Sequence, residues 1–178
     1  MKKFLLTLLI IVVVAVVAVL AMAMTKGDTF EVTRTAVINA PPEKIYPLIN
    51  DFHRWQSWSP YEKKDPAMKR TYGGAPSGKG ATYAWNGDKN VGSGSMEITD
   101  STAPSKIVIK LDFTSPLEGH NIAEFTMDSA GPSTRVAWRM HGPAPLVSKI
   151  AQVFFDLDKM IGKDFEDGLA NLKAMAEK

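Results

Sequence analysis

The chain has 178 residues and a formal net charge of +2, with 45% hydrophobic residues, 22% charged residues and no cysteine. These proportions are typical of a globular protein, and the absence of cysteine excludes disulfides, thiolate catalysis and cysteine-ligated zinc. Lys2, Lys3 and Lys26 flank an apolar stretch, which leaves 18 basic against 19 acidic residues elsewhere, so the folded part lacks the basic surface that binds nucleic-acid phosphates.

Residues 1–26 predict a membrane-spanning segment. The stretch from Phe4 to Met24 is apolar except for Thr7, and as a helix it would be about 30 Å long, the thickness of a bilayer's hydrocarbon core. Ala21–Ala23 resembles a signal-peptidase site, so cleavage stays open, but cleavable signals usually have apolar stretches of only about 7–15 residues and an uncleaved anchor is favoured. The lysines before the helix place Met1 in the cytoplasm. The prediction is a single-pass protein of the inner (cytoplasmic) membrane whose C-terminal domain is periplasmic or otherwise extracytoplasmic.

Residues 27–178 predict one folded domain. Phe30–Ile38 alternates apolar and polar residues, which indicates a strand that is buried on one side. Asn39–Phe52 has prolines at its start and apolar residues at helical spacing, which indicates a short helix that Pro47 shortens or kinks. Tyr61–Gly80 is charged and then rich in glycine, and it predicts a loop with at most one short strand.

Five short runs separated by turn residues follow between Ala81 and Gly142, and they predict an antiparallel meander. The clearest run, Lys106–Ser115, alternates so that one face of the sheet is apolar and the other is hydrated. From Leu146 to Leu172 the apolar period becomes helical, which predicts one long C-terminal amphipathic helix packed on the apolar face. This order of elements defines an α+β domain, and a curved sheet around one helix leaves room for an apolar cavity.

The segments INAPPEKIYPLINDFHRWQSWSPY, GKGATYAWNG, VGSGSME, STRVAWRMHG and MIGKDFEDGLANLKAMAE resemble the START-like, polyketide cyclase/dehydrase and lipid-transport (SRPBCC) superfamily over Phe30–Lys178. The resemblance implies a helix-grip fold: a seven-stranded antiparallel sheet wrapped around the C-terminal helix, with two short helices closing one end of a hydrophobic tunnel. The second short helix is expected to be lost or merged into FHRWQSWSPY. Function does not follow from the fold, because the superfamily includes carriers, cyclases, hydrolases and co-chaperones.

Trp55 and Trp58 could either hold a ligand between their rings or close one end of the core as a structural plug. Burial would contribute about 4–6 kcal/mol for each tryptophan as an upper figure, which is sufficient reason for a plug at the helix end of the grip. The structural role is therefore favoured.

No catalytic constellation, cofactor site or metal site is predicted. The three histidines are not spaced as metal ligands, and no third member accompanies Asp51 and His53, so solvated or capping roles are favoured. The glycines of GGAPSGKG and VGSGS lack the strand and helix context of a phosphate loop and are assigned to turns, a bulge and a flexible tunnel mouth. An acid inside the tunnel stays open, with Glu97, Asp112 and Glu124 as strand carboxylates.

The apolar faces are the best ligand-binding candidates, because methionine and aromatic side chains suit an adaptable apolar pocket. The leading hypothesis is a membrane-anchored domain that binds a hydrophobic small molecule or lipid without catalysis. The alternatives are a cyclase/dehydrase-type or hydrolase-type enzyme using a buried carboxylate or a tyrosine such as Tyr83, and a protein-interaction module with a filled core. The predicted lining residues are Tyr83, Trp85, Met96, Ile98, Ile109, Leu111, Trp138, Met140, Phe154, Leu157, Ile161 and Phe165.

Overall fold

The structure, a computed structural model, describes residues 1–178. It confirms the predicted α+β class, with seven strands in one antiparallel sheet followed by a long helix near the C-terminus. The elements in chain order are α1 (Lys2–Met24), β1 (Thr29–Ile38), α2 (Pro42–Asn50), a 3₁₀ helix (Phe52–Ser57), α3 (Pro60–Lys64), β2 (Lys69–Gly74), β3 (Ala81–Asn86), β4 (Ser93–Thr102), β5 (Lys106–Ser115), β6 (Gly119–Ala130), β7 (Ser133–Pro143), α4 (Leu146–Phe154) and α5 (Leu157–Ala176).

The chain divides into two compact units. The first comprises Met1–Phe30 and Pro143–Leu157, and the second comprises Glu31–Gly142 and Asp158–Lys178. The sheet belongs almost entirely to the second unit, together with nearly all of α5, so this unit holds the apolar core.

In the first unit, α4 packs against α1. Lys149 of α4 pairs with Asp28, and the Ala144 amide donates a hydrogen bond of 2.7 Å to the Asp28 carbonyl. Ala23 is fully buried and Val19 is half-buried, while the rest of α1 is exposed. By length and composition, α1 is one helix that can cross a membrane.

The sheet is a meander closed on one side by the first strand. Its order is β1-β7-β6-β5-β4-β3-β2, so every strand from β2 to β7 pairs with its neighbour in sequence and β1 pairs with β7. Because directly paired residues of antiparallel strands project to the same face, the registers define rows of side chains across the sheet.

Helix α5 buries one stripe against the inner face of the sheet. Phe165 stacks on Trp138 of β7 with ring centroids 4.0 Å apart and an interplanar angle of 7°. One turn later comes Gly168, where a Cβ would lie 2.7 Å from the Trp138 ring and 3.0 Å from Pro60. Glycine therefore permits the helix to approach the sheet this closely.

The long C-terminal helix is present as α5, but its predicted start at Leu146 is wrong, because residues 146–154 form a separate helix, α4. Phe155 has an extended backbone with φ −127° and ψ 137°, which ends α4. Asp156 then precedes α5, and aspartate is a residue type that favours helix N-caps. The apolar period continues across this break, so periodicity alone could not reveal it.

The structure corrects one part of the prediction for residues 52–74 and agrees with another. The second short helix is not lost: α3 (Pro60–Lys64) forms after the 3₁₀ helix, with Pro60 in its first turn, where the missing amide costs no hydrogen bond. The one short strand allowed by the sequence exists as β2.

Trp55 and Trp58 have the predicted structural role. Both side chains are buried, and their indole N–H groups donate to the carbonyls of Ile49 (2.9 Å) and Leu48 (2.8 Å) in the last turn of α2. Their rings contact Phe125 of β6, each with centroids 6.1 Å apart. The two tryptophans thus close one end of the core.

We expect Gly168→Ala to destabilise the second unit although alanine is the better helix former. The added methyl group overpacks the contact with Trp138 and Pro60, and the free energy of unfolding should fall by about 1–2 kcal/mol. Thermal unfolding of the full chain in detergent, followed by near-ultraviolet circular dichroism, measures the change.

Ala170→Gly is the matched control, because Ala170 is exposed on the same helix and reports helix propensity alone. It should lower stability by about 1 kcal/mol. A Gly168→Ala protein as stable as the parent chain, or more stable, would contradict the close approach.

Candidate functional site

The inner face of the sheet carries apolar rows whose exposure rises steadily from one end to the other. The row Ile107, Phe125 and Trp138 is exposed by 0 to 3%. The next row contains Ile109 and Met140, at 0% and 6%.

The following two rows continue this gradient. Met96 and Leu111 pair across β4 and β5 and are 9% and 8% exposed, and in the row after them Trp85 and Phe113 are half-buried. The core is therefore sealed at the end near Trp55 and Trp58, whereas the inner-face side chains are more exposed at the other end. We call the residues Trp85, Met96, Leu111, Phe113 and Met140 the open end.

Gly94 shapes the open end. It pairs with Trp85 on one side and Phe113 on the other, and those two rings meet edge to face with centroids 5.6 Å apart. A Cβ on Gly94 would lie 2.7 Å from an atom of the Trp85 ring. The glycine at this bulge in β4 thus lets Trp85 lie flat across the strand, in agreement with the role predicted for VGSGS.

Trp138 contributes an unsatisfied hydrogen-bond donor inside the core. Its side chain is 3% exposed, and its Nε1–H has no partner in the protein. The ring is surrounded by Phe165, Phe125 and Trp58, with centroid distances of 4.0, 4.9 and 5.7 Å. A buried donor left without an acceptor costs about 1–3 kcal/mol, so an acceptor that reaches this position gains that free energy.

Asn121 is the second polar side chain on the inner face. It pairs with Leu111 and is 9% exposed. Its Oδ1 lies against Gly142, where a Cβ would collide with it. The inner face therefore combines apolar walls with neutral polar groups, among them Trp138 and Asn121.

A buried ionic cluster lies beside the same face. Glu62 of α3 is 7% exposed and receives hydrogen bonds from Arg70 Nε (2.7 Å) and from the Tyr83 hydroxyl (2.8 Å). Burial, and then the hydrogen bond to Glu62, raise the pKa of the Tyr83 phenol, which stays protonated as a donor. The hydrogen bond that Arg70 donates to Glu62 raises the pKa of the Arg70 guanidinium. Both carboxylate oxygens are engaged, so the cluster is satisfied within the protein.

Asp51 and His53 lie together at the start of the 3₁₀ helix. Asp51 caps the 3₁₀ helix by accepting from the His53 amide at 2.9 Å, and it lies 3.1 Å from His53 Nδ1. The His53 side chain is 59% exposed and stacks on Tyr72 at a centroid distance of 4.1 Å. This geometry agrees with the capping and solvated roles expected for these residues.

The three strand carboxylates are not interior acids. Glu97 is exposed, Asp112 pairs with Lys110, and Glu124 pairs with Arg139, all on the face opposite the apolar rows. Hydrogen bonds from Lys110 and then His120 lower the pKa of Asp112. The register explains this placement, because residues adjacent to inward-facing ones project to the hydrated face.

The structure brings most of the predicted lining residues together and separates one. Phe154 ends α4 with 64% of its surface exposed and does not belong to the long helix α5. Leu157 and Ile161 are half-buried in the first turns of α5. The side chains that share the interior are Tyr83, Met96, Ile98, Ile109, Leu111, Trp138, Met140 and Phe165, with Trp85 at the edge.

Sequence reasoning missed Glu62, Arg70 and Asn121. Asn121 could have been found, because alternation along β6 places it on the same face as Ala123 and Phe125. Glu62 lies in a charged stretch where nothing local distinguishes the one glutamate that becomes buried.

These features define a helix-grip protein with an apolar inner face. The family model for polyketide cyclase/dehydrase and lipid transport proteins matches residues 29–177, and the chain belongs to this family. None of the curated proteins matches the sequence.

Several solved structures share the fold at low sequence identity. Protein CV1439 from Chromobacterium violaceum is 15% identical with a TM-score of 0.59, and the match covers 85% of this chain and 98% of that one. The Aha1 dimer from Colwellia psychrerythraea is 14% identical with a TM-score of 0.58, covering 83% and 96%. The di-domain ARO/CYC BexL from the BE-7585A biosynthetic pathway is 14% identical with a TM-score of 0.60, covering 89% of this chain and 53% of BexL. At these identities the comparisons establish the fold.

We expect Glu62→Leu to lower the free energy of unfolding by about 2–3 kcal/mol, because it leaves the largely buried Arg70 guanidinium without its counter-ion. The double variant Glu62→Leu/Arg70→Leu should regain more than half of that loss. Denaturant unfolding of the two single variants and the double variant yields the coupling free energy of the pair. Additive losses in the double variant would contradict a buried, coupled ion pair.

Proposed function

We propose that the chain is a membrane-tethered domain that binds a hydrophobic small molecule, such as a lipid, and catalyses no reaction on it. The observation that carries the proposal is the unpartnered Trp138 N–H, buried in an apolar interior whose opposite end is more exposed. A ligand with an apolar body and one hydrogen-bond acceptor matches this arrangement in shape and polarity.

The charges of the interior favour a neutral ligand. Glu62 is already neutralised by Arg70 and hydrogen-bonded by Tyr83, so no free charge faces the apolar rows from this cluster. An ionised ligand group would have to lose its hydration without gaining a counter-ion there, which is unfavourable in a buried site. Hydroxyl and carbonyl groups of lipids or isoprenoids fit better.

Helix α1 supports the membrane part of the proposal. Its 23 residues suffice to cross a bilayer, and the two lysines before the apolar stretch favour a cytoplasmic N-terminus. The folded part would then lie outside the inner membrane, next to a source of apolar ligands.

An enzyme of the cyclase/dehydrase or hydrolase type is the second candidate. It is favoured by the buried Glu62 and the protonated Tyr83 phenol beside the inner face, the kind of acid that such an enzyme needs. We favour binding because both Glu62 oxygens are engaged by other side chains.

We expect Leu111→Trp to reduce the fraction of protein that carries an apolar ligand, because the larger ring fills space at the open end. Native mass spectrometry of the full chain released from detergent micelles should show bound apolar molecules on the parent chain and about tenfold lower apparent affinity in the variant. Parent protein that never carries such a molecule would contradict the proposal.

Val108→Trp is the matched control, because Val108 lies on the same strand but on the opposite face, and it should retain the ligand. The recovered ligand also separates the two candidate functions. A molecule that returns unchanged after incubation with the protein fits a binding domain, whereas conversion that is lost in Glu62→Gln identifies an enzyme.

Protease added to spheroplasts of a Gram-negative host should digest the C-terminal domain, because the proposed orientation places it outside the inner membrane. A cytoplasmic marker protein should stay intact in the same sample and serves as the control for lysis. Protection of the domain in intact spheroplasts, with digestion after detergent, would reverse the orientation.

A further inference from the structure

Helix α4 has its apolar side facing outward. Leu146, Val147 and Phe154 are exposed by 49, 56 and 64%, and they project from one side of the helix with half-buried Ile150 between them. Phe155, which follows directly, is 58% exposed. We call Leu146, Val147, Phe154 and Phe155 the α4 apolar patch.

The polar residues of α4 lie on its other side. The Lys149 side chain is 12% exposed and is held in an ion pair with Asp28. Gln152 is half-buried, and its Nε2 has no hydrogen-bond partner. A helix at a water surface normally buries its apolar face and exposes its polar one, so α4 is reversed for an aqueous environment.

Helix α4 packs against the predicted membrane span. The two helices pack together in one compact unit, and the residues of α1 that are withdrawn from solvent are Ala23 and, one turn earlier, Val19. This places α4 at the C-terminal end of α1, the level at which a spanning helix leaves the hydrocarbon core.

We propose that α4 lies in the interface of the bilayer that α1 spans, with the α4 apolar patch inserted among the lipid chains. The inference rests on the membrane-tethering part of the proposed function and adds a second contact with the same bilayer. An interfacial helix buries an apolar face to a depth of about 5–10 Å, within reach of phenylalanine and leucine side chains.

Charge is compatible with this location. Helix α4 contains no acidic residue, and its one lysine is neutralised by Asp28, so approach to an anionic lipid surface meets no repulsion from the helix itself. Lys26 directly follows α1 and is attracted to the same headgroups.

Because the chain has no cysteine, a single cysteine introduced by substitution can be labelled to report on its own position in the full-length protein. We would attach a nitroxide to Phe154→Cys in vesicles of phosphatidylethanolamine and phosphatidylglycerol. Collision rates are measured with oxygen, which concentrates in the bilayer, and with a nickel chelate, which stays in water. Val12→Cys, at the centre of α1, is the membrane reference. Lys163→Cys, on the exposed side of α5, is the aqueous reference.

The oxygen-to-nickel collision ratio at Phe154→Cys should exceed that of Lys163→Cys several-fold and approach that of Val12→Cys. Val147→Cys should behave in the same way and guards against local misfolding of one variant. Nickel-dominated collisions at both α4 positions, with oxygen-dominated collisions at Val12, would overturn the interfacial location while leaving the anchor intact.

Two other outcomes also overturn the proposal. Nickel-dominated collisions at Val12 itself would show that α1 does not span the bilayer, so that the tethering fails as well. Low collision rates with both reagents at Phe154, together with spin–spin broadening that grows with the protein-to-lipid ratio, would show that a second copy covers α4. Ligand binding, measured separately by native mass spectrometry, does not depend on either result.

Discussion

The contact between Trp138 and helix α5 is the constraint on which the rest of the structure depends. Phe165 stacks on the indole, and Gly168 removes the side chain that would hold the helix away. This fixes a tight end of the core, which Trp55 and Trp58 then close by hydrogen bonding to α2. Because the helix is held at that end, the inner rows are sealed there and become more exposed toward Trp85 and Phe113.

The same contact leaves the indole N–H of Trp138 without an acceptor, since its neighbours are aromatic rings. The charged groups nearby behave differently. Glu62 is bound by Arg70 and Tyr83, so its charge is compensated within the protein. For the proposed binding function, compensated charges and the unpartnered Trp138 donor would favour an apolar molecule that carries a hydrogen-bond acceptor.

The proposed membrane attachment and the proposed ligand binding would be physically linked. Apolar molecules are sparingly present in water and concentrate in bilayers, so a domain tethered by α1 would meet such a ligand at high local concentration. Helix α4 directly precedes α5 in the chain and belongs to the same compact unit as α1. A second contact with the bilayer through α4 would restrict the tethered domain more than a flexible linker does.

The sequence by itself determined the class of fold, the membrane-span candidate and the inward face of each long strand. These are set by local periodicity: alternation along Lys106–Ser115 or along Gly119–Ala130 follows from the two-residue repeat of a strand wherever it pairs. The break between α4 and α5 was decided by tertiary structure, because the apolar repeat runs through Phe155 unchanged while α4 and α5 belong largely to different compact units. The ion pair of Glu62 and Arg70 and the unpartnered Trp138 N–H also depend on tertiary structure, since a carboxylate or an indole acquires its partner, or lacks one, only through residues that folding brings near it.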